Sequence, residues 1–299
     1  MTLVTIDCDY VGPEVACAYL RVEADECAFV EANTSHATPR LLEALAQAGK
    51  APESVRWIVV THVHLDHAGG AARLMRACPN ATLLAHPRAA RHLVDPSRII
   101  AGATAVYGAA RFAELYGEIE PIDASRVRSL EDGERVPFGR GELRFHHTRG
   151  HANHHFVVHD PQADTVFTGD AFGLVYPRLQ RAGLLAFPST SPTDFDATAA
   201  DESISRIVAL GTSTVALTHF GQQRAVPEIA TQLRSWLQLS AELVERKANE
   251  AEIEADLRSE FARVAAGIGL SLDADDWRHL ALDLRLNAQG LAHAISRGR

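Results

Sequence analysis

The feature that most constrains this chain is a run of metal-ligand side chains placed directly after an apolar strand. Val55–Thr61 is rich in β-branched residues and reads as a buried strand. It leads at once into His62-Val63-His64-Leu65-Asp66-His67. On a loop these imidazole and carboxylate groups can converge on one point, which the fixed periodicity of a strand or helix would not allow. The pattern predicts a metal site at the end of a buried strand.

Three further ligand-type residues follow later apolar segments. His151 and Asp170 each come directly after a glycine, and His219 follows the β-prone run Thr214–Thr218. Open α/β sheets place their sites at the carboxyl ends of strands, so we expect these side chains to join the first group. A lone histidine of this kind is more often structural, but the combination favours metal binding. Imidazole and carboxylate ligands suit zinc, iron or manganese.

The predicted elements divide the chain into two parts. Strands alternate with helices as far as about residue 225, which indicates an α/β fold. Beyond that point strand signals end, and Glu228–Val264 and Asp273–Ile295 have helical periodicity. We therefore predict a catalytic domain over residues 1–225 and a helical domain over residues 226–299. The second domain is expected to cap the site or to mediate association, for example in a homodimer.

Composition and charge exclude several classes of partner. The chain has 299 residues, with 29 basic and 38 acidic side chains and a net charge of −9. Nucleic-acid binding is disfavoured because it depends on clustered basic residues. No stretch approaches the ~18 apolar residues of a membrane span, and the amino terminus lacks the pattern of a signal peptide. A cytoplasmic protein with free cysteines and a small-molecule substrate is expected.

The ligand-type residues and their surroundings resemble the metallo-β-lactamase-fold superfamily. The resemblance rests on four segments and covers about residues 1–225: Thr61–Gly70, Gly150-His151, Thr168–Asp170 and Thr218–Gly221. It implies an α/β fold of the four-layer αββα metallo-β-lactamase sandwich type, in which two packed sheets are flanked by helices. In this chain that sandwich would be followed by the C-terminal helical domain.

The resemblance also implies how the ligands are shared between two divalent metal ions. In glyoxalase II-like members of the superfamily, the first ion would take His62, His64 and His151, and the second would take Asp66, His67 and His219. Asp170 would bridge both ions. Zinc is the expected metal, with iron and manganese as alternatives. Asp66 is in addition a candidate catalytic residue, which would orient a hydroxide and pass a proton to the leaving group.

At several positions this chain differs from the motifs of individual branches of the superfamily. These differences exclude some of the activities that the resemblance implies. His219 lies in Leu-Thr-His-Phe-Gly, whereas glyoxalase II proper has Cys-Gly-His-Glu-Tyr, which argues against glutathione thioesters. Asp170 stands where the commonest zinc β-lactamases have cysteine. Gly173 stands where quorum-signal lactonases have tyrosine, although Tyr176 is near. What remains resembles prokaryotic glyoxalase II-like metallohydrolases, through Asp95-Pro96-Ser97, Thr148–His155 and Leu286–Leu291.

The predicted function is therefore a dinuclear metal-dependent hydrolase. A metal-bridging hydroxide would attack an activated carbonyl of a thioester, ester or lactone. One alternative is a mononuclear-iron oxidoreductase similar to the persulfide dioxygenases, with His62, His151 and Asp170 as the iron ligands. The other alternative is a metal-stabilised binding protein without turnover.

Four residues are candidates for substrate contact. His154 and His155 precede a predicted strand, so only one of them can face the metals. Tyr176 and Arg178 lie in residues 171–195, which are expected to form a long ordered loop. Tyr176 would line an apolar pocket, and Arg178 would bind a substrate carboxylate through two hydrogen bonds. A purely structural role is the alternative for each.

A short segment after an earlier strand is expected to support the metal ligands. Glu31-Ala32-Asn33-Thr34 occupies the place where the resembled fold often has an Asp-Thr-Gly-like loop. Asn33 can adopt the left-handed conformation that glycine would otherwise supply. We expect Glu31 or Thr34 to form a hydrogen bond with a metal ligand.

Overall fold

The computed structural model describes residues 2–190 and 194–298. Residues 191–193 of the predicted loop, and the first and last residues of the chain, therefore lie outside the described residues. The strands of the described part are β1 (Thr2–Asp7), β2 (Cys17–Glu23), β3 (Glu26–Val30), β4 (Val55–Val59), β5 (Thr82–Ala85), β6 (Val127–Ser129), β7 (Arg135–Phe138), β8 (Gly141–His147), β9 (Phe156–Asp160), β10 (Thr165–Gly169), β11 (Thr214–Leu217) and β12 (Gly221–Gln223). The α-helices are α1 (Thr38–Gln47), α2 (Leu65–Ala68), α3 (Ala71–Ala77), α4 (Pro87–Val94), α5 (Ser97–Tyr107), α6 (Ala109–Tyr116), α7 (Ala197–Ala209), α8 (Val226–Glu245), α9 (Glu250–Gly267) and α10 (Ala274–Ser296).

The strands form two six-stranded sheets, and in both sheets the spatial order follows the sequence. In the first sheet β1, β2 and β3 are antiparallel, and β3 to β6 run parallel. In the second sheet every neighbouring pair is antiparallel except β10 and β11. Parallel pairs need a crossover, and helices supply it between β3 and β4, between β4 and β5, between β5 and β6, and between β10 and β11.

The alternation of side chains along the strands explains how the layers pack. On β3, Phe29 contacts the helical layer, whereas Ala28 and Val30 face the second sheet. Phe138 and Phe145 approach them from that sheet, so both sheets share one apolar interior. Helices α1, α3 and α4 cover the outer face of the first sheet, and α7 to α10 cover that of the second. The predicted four-layer αββα sandwich with helices at its C-terminal end is confirmed.

The C-terminal helices extend the outer layer of the second sheet. Ile229 and Trp236 of α8, Phe261 of α9 and Leu284 of α10 belong to the same buried cluster as Val166 of β10. The region predicted as helical is divided into three helices, with breaks near residues 246–249 and 268–273. The domain boundary at residue 225, and the role of this region as a cap or an association element, stay predictions.

Three edge strands carry no clear sequence signal. Strands β6, β7 and β12 lie at the edges of the two sheets, and each has only three or four residues. Strand β7 contains Pro137, which cannot donate a backbone hydrogen bond and is therefore typical of edges. Such strands take their conformation from the neighbour they pair with, so their own residues do not identify them.

The cysteines and the helices of the described residues bear on the expectations from composition. All four cysteines are buried and free. Burial raises the pKa of the Cys17 thiol to about 12, so this cysteine is not a thiolate nucleophile at neutral pH. In residues 2–190 and 194–298, no helix has both the length and the apolar composition needed to cross a bilayer.

Candidate metal centre

The seven predicted ligands converge where strand ends of both sheets meet. His62 and His64 follow β4, and Asp66 and His67 lie on the one-turn helix α2. The remaining ligands follow β8, β10 and β11: His151, Asp170 and His219. The residues form three groups whose ligand atoms lie within 4.8 Å of one another: His62, His64 and His151; His62, His67 and Asp170; and Asp66, His67 and His219. The predicted convergence of these side chains is confirmed, and their binding of metal stays a prediction.

Asp170 lies between two histidine groups. Its Oδ2 atom is 3.5 Å from Nε2 of His151, and its Oδ1 atom is 3.2 Å from Nε2 of His67 and 3.6 Å from Nε2 of His219. One carboxylate thus presents a separate oxygen to each group. In the described part of the chain, His67 Nε2 and Asp170 Oδ1 are buried and face each other at 3.2 Å without the alignment of a hydrogen bond, and neither has another hydrogen-bond partner. Leaving such atoms unpaired is costly, so the donor set fits a cation bound between them.

The other ring nitrogen of each of four ligand histidines has a protein partner. The contacts are His62 Nδ1 with Thr61 Oγ1 at 3.1 Å, His67 Nδ1 with Glu31 Oε1 at 3.1 Å, His151 Nδ1 with the Ser189 carbonyl at 3.1 Å, and His219 Nδ1 with the Val15 carbonyl at 2.8 Å. Where the partner is a carboxylate or a carbonyl, the ring donates through Nδ1–H. This fixes the tautomer that leaves Nε2 free for a metal.

Glu31 connects the ligand His67 to two strand ends. Its side chain is 1% exposed and accepts hydrogen bonds from the hydroxyl of Thr61 at 2.5 Å and the hydroxyl of Thr218 at 3.3 Å. The expected contact with a predicted metal ligand is confirmed for Glu31 through His67, and the hydroxyl of Thr34 forms none within the described residues. Asn33 has a φ of +50° and donates from Nδ2 to the Asp66 carbonyl at 2.8 Å, which positions the segment carrying Asp66.

Gly169 places Asp170 by a backbone conformation that other residues rarely adopt. Its φ is +48°, in the left-handed region. A Cβ atom there would lie 2.5 Å from Thr61 Oγ1 and 2.6 Å from His155 Nε2. The close packing therefore requires glycine at the residue before Asp170.

The electrostatics of the centre favour neutral rings at His62 and His64, and charged side chains at Asp66 and His219. Burial, together with the neighbouring histidines, holds the pKa of His62 and His64 well below the usual range. Burial would raise the pKa of Asp66, but His67 and His219 lower it to about 2. Burial would lower the pKa of His219, but Asp170 and Asp66 raise it to about 9. In the metal-free protein the proton on His219 neutralises part of the charge of these carboxylates, and a bound metal ion would displace it.

The two consecutive histidines have different hydrogen-bond partners. His155 is fully buried, contacts Thr148 Oγ1 at 2.8 Å and accepts from the Asp170 amide at 3.3 Å, so it is held against the backbone of Asp170. The ring of His154 lies 6.1 Å from the ring of His62 and 5.7 Å from that of His64. The ring of His155 lies 4.9 Å from that of His62, so both rings border the ligand set, and the expectation that only one of the pair faces it stays a prediction. Substrate contact by either histidine stays a prediction.

The two candidates from the long loop contact helix α10. The hydroxyl of Tyr176 donates to Asp283 at 3.3 Å, and its ring lies 6.4 Å from the ring of His219. Arg178 forms an ion pair with Asp276 at 2.8 Å. The Arg178 guanidinium therefore already has a carboxylate partner within the protein, and its predicted contact with a substrate carboxylate stays a prediction, as does the substrate contact of Tyr176.

A polar cleft extends from the segment that carries His151. It has a volume of about 570 Å³, and Arg149 and Asn153 line it on either side of His151 in the sequence. Arg88, Arg206 and His86 lie on its other walls, together with acidic side chains. The cleft is large enough for a small organic molecule.

Asp283 is a half-buried carboxyl group near the centre that sequence reasoning missed, because it lies in a helix without a recognisable motif. Burial raises its pKa to about 7; Asp170 and Asp66 act in the same direction, and His219 and the Tyr176 hydroxyl oppose them. The unfolded value is about 3.9. The metal-free folded protein thus keeps a proton that the unfolded chain releases between these two pH values.

For metal-free protein we therefore expect Asp283 to make the free energy of unfolding pH-dependent. Its contribution is fully present below pH ~4 and is lost as the pH rises through about 7. Asp283→Asn should flatten this part of the profile in urea unfolding at several pH values between 5 and 8. Asp25→Asn, at an exposed position, is the control. Identical slopes for Asp283→Asn and the wild type would contradict the assignment.

Glu31→Gln is expected to weaken zinc binding by ~10–100-fold, the effect typical of losing a partner that orients a ligand histidine. The glutamine keeps the size of the side chain but removes the charge that His67 contacts. Competition with a chromophoric chelator would measure the affinity, and Glu43→Gln on the exposed side of α1 is the matched control. Unchanged affinity in Glu31→Gln would show that this carboxylate does not support the centre.

This chain is similar to known proteins of one superfamily. The family model described as the metallo-beta-lactamase superfamily matches residues 14–219. A curated relative, the metallo-beta-lactamase fold-containing protein ST1585 of Sulfurisphaera tokodaii, is 28% identical over 173 residues. That alignment covers 56% of this chain and 62% of the relative, so the chain matches about three fifths of the relative's length.

Solved structures are similar over more of the chain. The crystal structure of ST1585 from Sulfolobus tokodaii has a TM-score of 0.67 and 23% identity, and the match covers 97% of each chain. TTHA1429 from Thermus thermophilus has a TM-score of 0.65 and 20% identity, covering 98% of this chain and 92% of that one. MEM-A1, a subclass B3 metallo-β-lactamase from a soil metagenome library, has a TM-score of 0.53 and 19% identity, covering 82% and 98%. At these identities the likeness shows the fold alone.

Proposed function

The chain belongs to the metallo-β-lactamase superfamily, and we propose that it is a dinuclear metal-dependent hydrolase of the glyoxalase II-like branch. Its substrate would be a small molecule with an activated carbonyl, such as a thioester, an ester or a lactone. The observation that carries the proposal is the geometry of Asp170, whose two oxygens face separate histidine groups. A ligand with this geometry suits two ions better than one.

The proposed chemistry divides between the ions and the protein. When bound, two divalent ions, with zinc as the proposed metal, would lower the pKa of water and polarise a carbonyl oxygen. Asp66 is 22% exposed, compared with 6% for Asp170, so it is the ligand carboxylate that solvent reaches. We assign to Asp66 the orientation of the attacking water and the transfer of its proton to the leaving group.

His154 is the proposed contact to the substrate oxygen. Burial lowers its pKa to about 4, so the ring is neutral at neutral pH and keeps one N–H to donate. Within the described residues its Nδ1 atom is buried without a hydrogen-bond partner. A preorganised donor of this kind stabilises the negative charge that develops on a carbonyl oxygen during attack. The polar cleft lined by Arg149 and Asn153 would hold the remainder of the substrate.

The first experiment is elemental analysis of protein purified without added metal, followed by a screen of thioesters, esters and lactones. Two ions per chain and turnover of one of these classes would support the proposal. One iron per chain, a second site that stays empty with added zinc or manganese, and oxygen consumption with a thiol persulfide would overturn it in favour of a dioxygenase. Bound metal without turnover of any class would instead indicate a binding protein.

A further inference from the structure

We propose that helix α10 is part of the metal centre and that Asn287 is the positioning residue for the ligand His151. The inference rests on the metal site of the proposed function. It assigns a role to the Leu286–Leu291 segment, which marks a resemblance in the sequence without indicating any chemistry. The C-terminal region would thereby set the affinity of the first group of ligands, although it supplies no ligand itself.

Asn287 is joined to one short segment of the long loop by three hydrogen bonds. Its Oδ1 atom accepts from the Thr190 amide at 2.8 Å, and its Nδ2 atom donates to the Pro188 carbonyl at 3.0 Å. The Thr190 hydroxyl donates to the backbone carbonyl of Asn287 at 3.1 Å. Both Asn287 and Thr190 are buried. The amide of Asn287 therefore fixes the peptide groups on both sides of Ser189.

Ser189 carries this restraint to the metal ligand. Its backbone carbonyl accepts from Nδ1 of His151 at 3.1 Å. On the other side of the same ring, Nε2 lies 3.1 Å from Nδ1 of His64 and 3.3 Å from Nε2 of His62. A carbonyl that receives the Nδ1–H sets both the tautomer and the orientation of a ligand imidazole. Moving residues 188–190 would therefore turn the ligand nitrogen away from its group.

Packing alone does not explain a polar residue at position 287. Leu280, Leu284, Ala288 and Leu291 lie on the same buried face of α10 and already attach the helix to the core. A leucine at 287 would continue this face, whereas a buried amide costs free energy unless it is hydrogen-bonded. Within the described residues the side chain of Asn287 forms two hydrogen bonds, one with the Pro188 carbonyl and one with the Thr190 amide. The polarity of this position thus serves the loop that orients His151.

The test is metal affinity in Asn287→Leu, measured by chelator competition and by the absorption spectrum of the cobalt-substituted protein. We expect the affinity for one ion to fall by ~10–100-fold and the cobalt spectrum to change, since an orienting partner is lost. Leucine suits the apolar face but leaves the Thr190 amide and the Pro188 carbonyl without their side-chain partner, so the metal-free variant should keep the fold but unfold at a temperature several degrees below that of the wild type. Arg285→Ala, on the exposed side of the same helix, is the control.

Thr190→Val is the second variant, in case Asn287→Leu does not fold. It removes the hydroxyl that bonds the Asn287 carbonyl and should give a smaller loss of affinity for the same ion. Wild-type affinity and an unchanged cobalt spectrum in whichever variants fold would overturn the inference. A wild type that binds two ions but hydrolyses nothing would refute the proposed function alone. A wild type that binds no metal would overturn both.

Discussion

Replacing Asp170 with asparagine is expected to lower carbonyl hydrolysis by about 10³-fold and to leave fewer than two ions per chain. Asparagine has one carbonyl oxygen and no charge, so it cannot present an anionic oxygen to His67 and His151 at once, as Asp170 does. Elemental analysis and steady-state rates on the substrate class found in the screen would measure both effects.

The control for this substitution is Asp256→Asn, because Asp256 is a surface carboxylate on α9 far from the ligand set in sequence. It should keep both ions and the wild-type rate. Circular dichroism would show that Asp170→Asn is folded. A folded Asp170→Asn protein with two ions and full activity would contradict the bridging role.

Asp160→Ala is expected to lower the free energy of unfolding by ~3–5 kcal/mol, the range for breaking a buried ion pair. Asp160 at the end of β9 lies 2.7 Å from Nε of Arg21 on β2, and the two side chains are 2% and 1% exposed. The pair joins the two sheets. Without Asp160 the Arg21 charge stays buried, with Glu23 at 3.5 Å as its remaining partner, so we expect the lower end of the range.

Urea unfolding would measure this loss, and two further variants make it specific. Asp256→Ala breaks a surface ion pair with Arg246 and should cost less than ~1 kcal/mol. The double variant Arg21→Met with Asp160→Ala should recover part of the loss, because it removes the buried Arg21 charge together with its partner, while Glu23 keeps Arg140 at 3.4 Å. Equal costs for the buried pair and the surface pair would contradict this account.

The convergence of the seven side chains could be predicted from the sequence because each of them stands next to a strong local signal. His62 follows a run of β-branched residues, and His219 follows another. The bridging role of Asp170 came from a family resemblance, and the positions of its two oxygens then supported it. The side chains come together only in the folded structure, but each of them can be identified from the residues next to it in the sequence.

The supporting residues could not be predicted in the same way. Thr190 and Asn287 are 97 positions apart, and their hydrogen bonds exist only because α10 packs on the long loop. For Arg178 the sequence suggested a role in substrate binding, but the contact that the structure shows could not be predicted. Its position after Asp170 suggested a free guanidinium, yet α10 places Asp276 beside it. Side chains whose roles depend on the docking of a distant helix leave no local pattern.

The metal centre also links the two halves of the chain, since His62 and His64 follow a strand of the first sheet and His151 follows a strand of the second. An ion held by all three ties the sheets together and stabilises the folded state by ~2.7 kcal/mol at a hundredfold excess over its dissociation constant. Proteases act on the opened chain. Metal scarcity would therefore remove the activity of this protein and also shorten its lifetime. The abundance of the protein in the cell would then follow the supply of the ion.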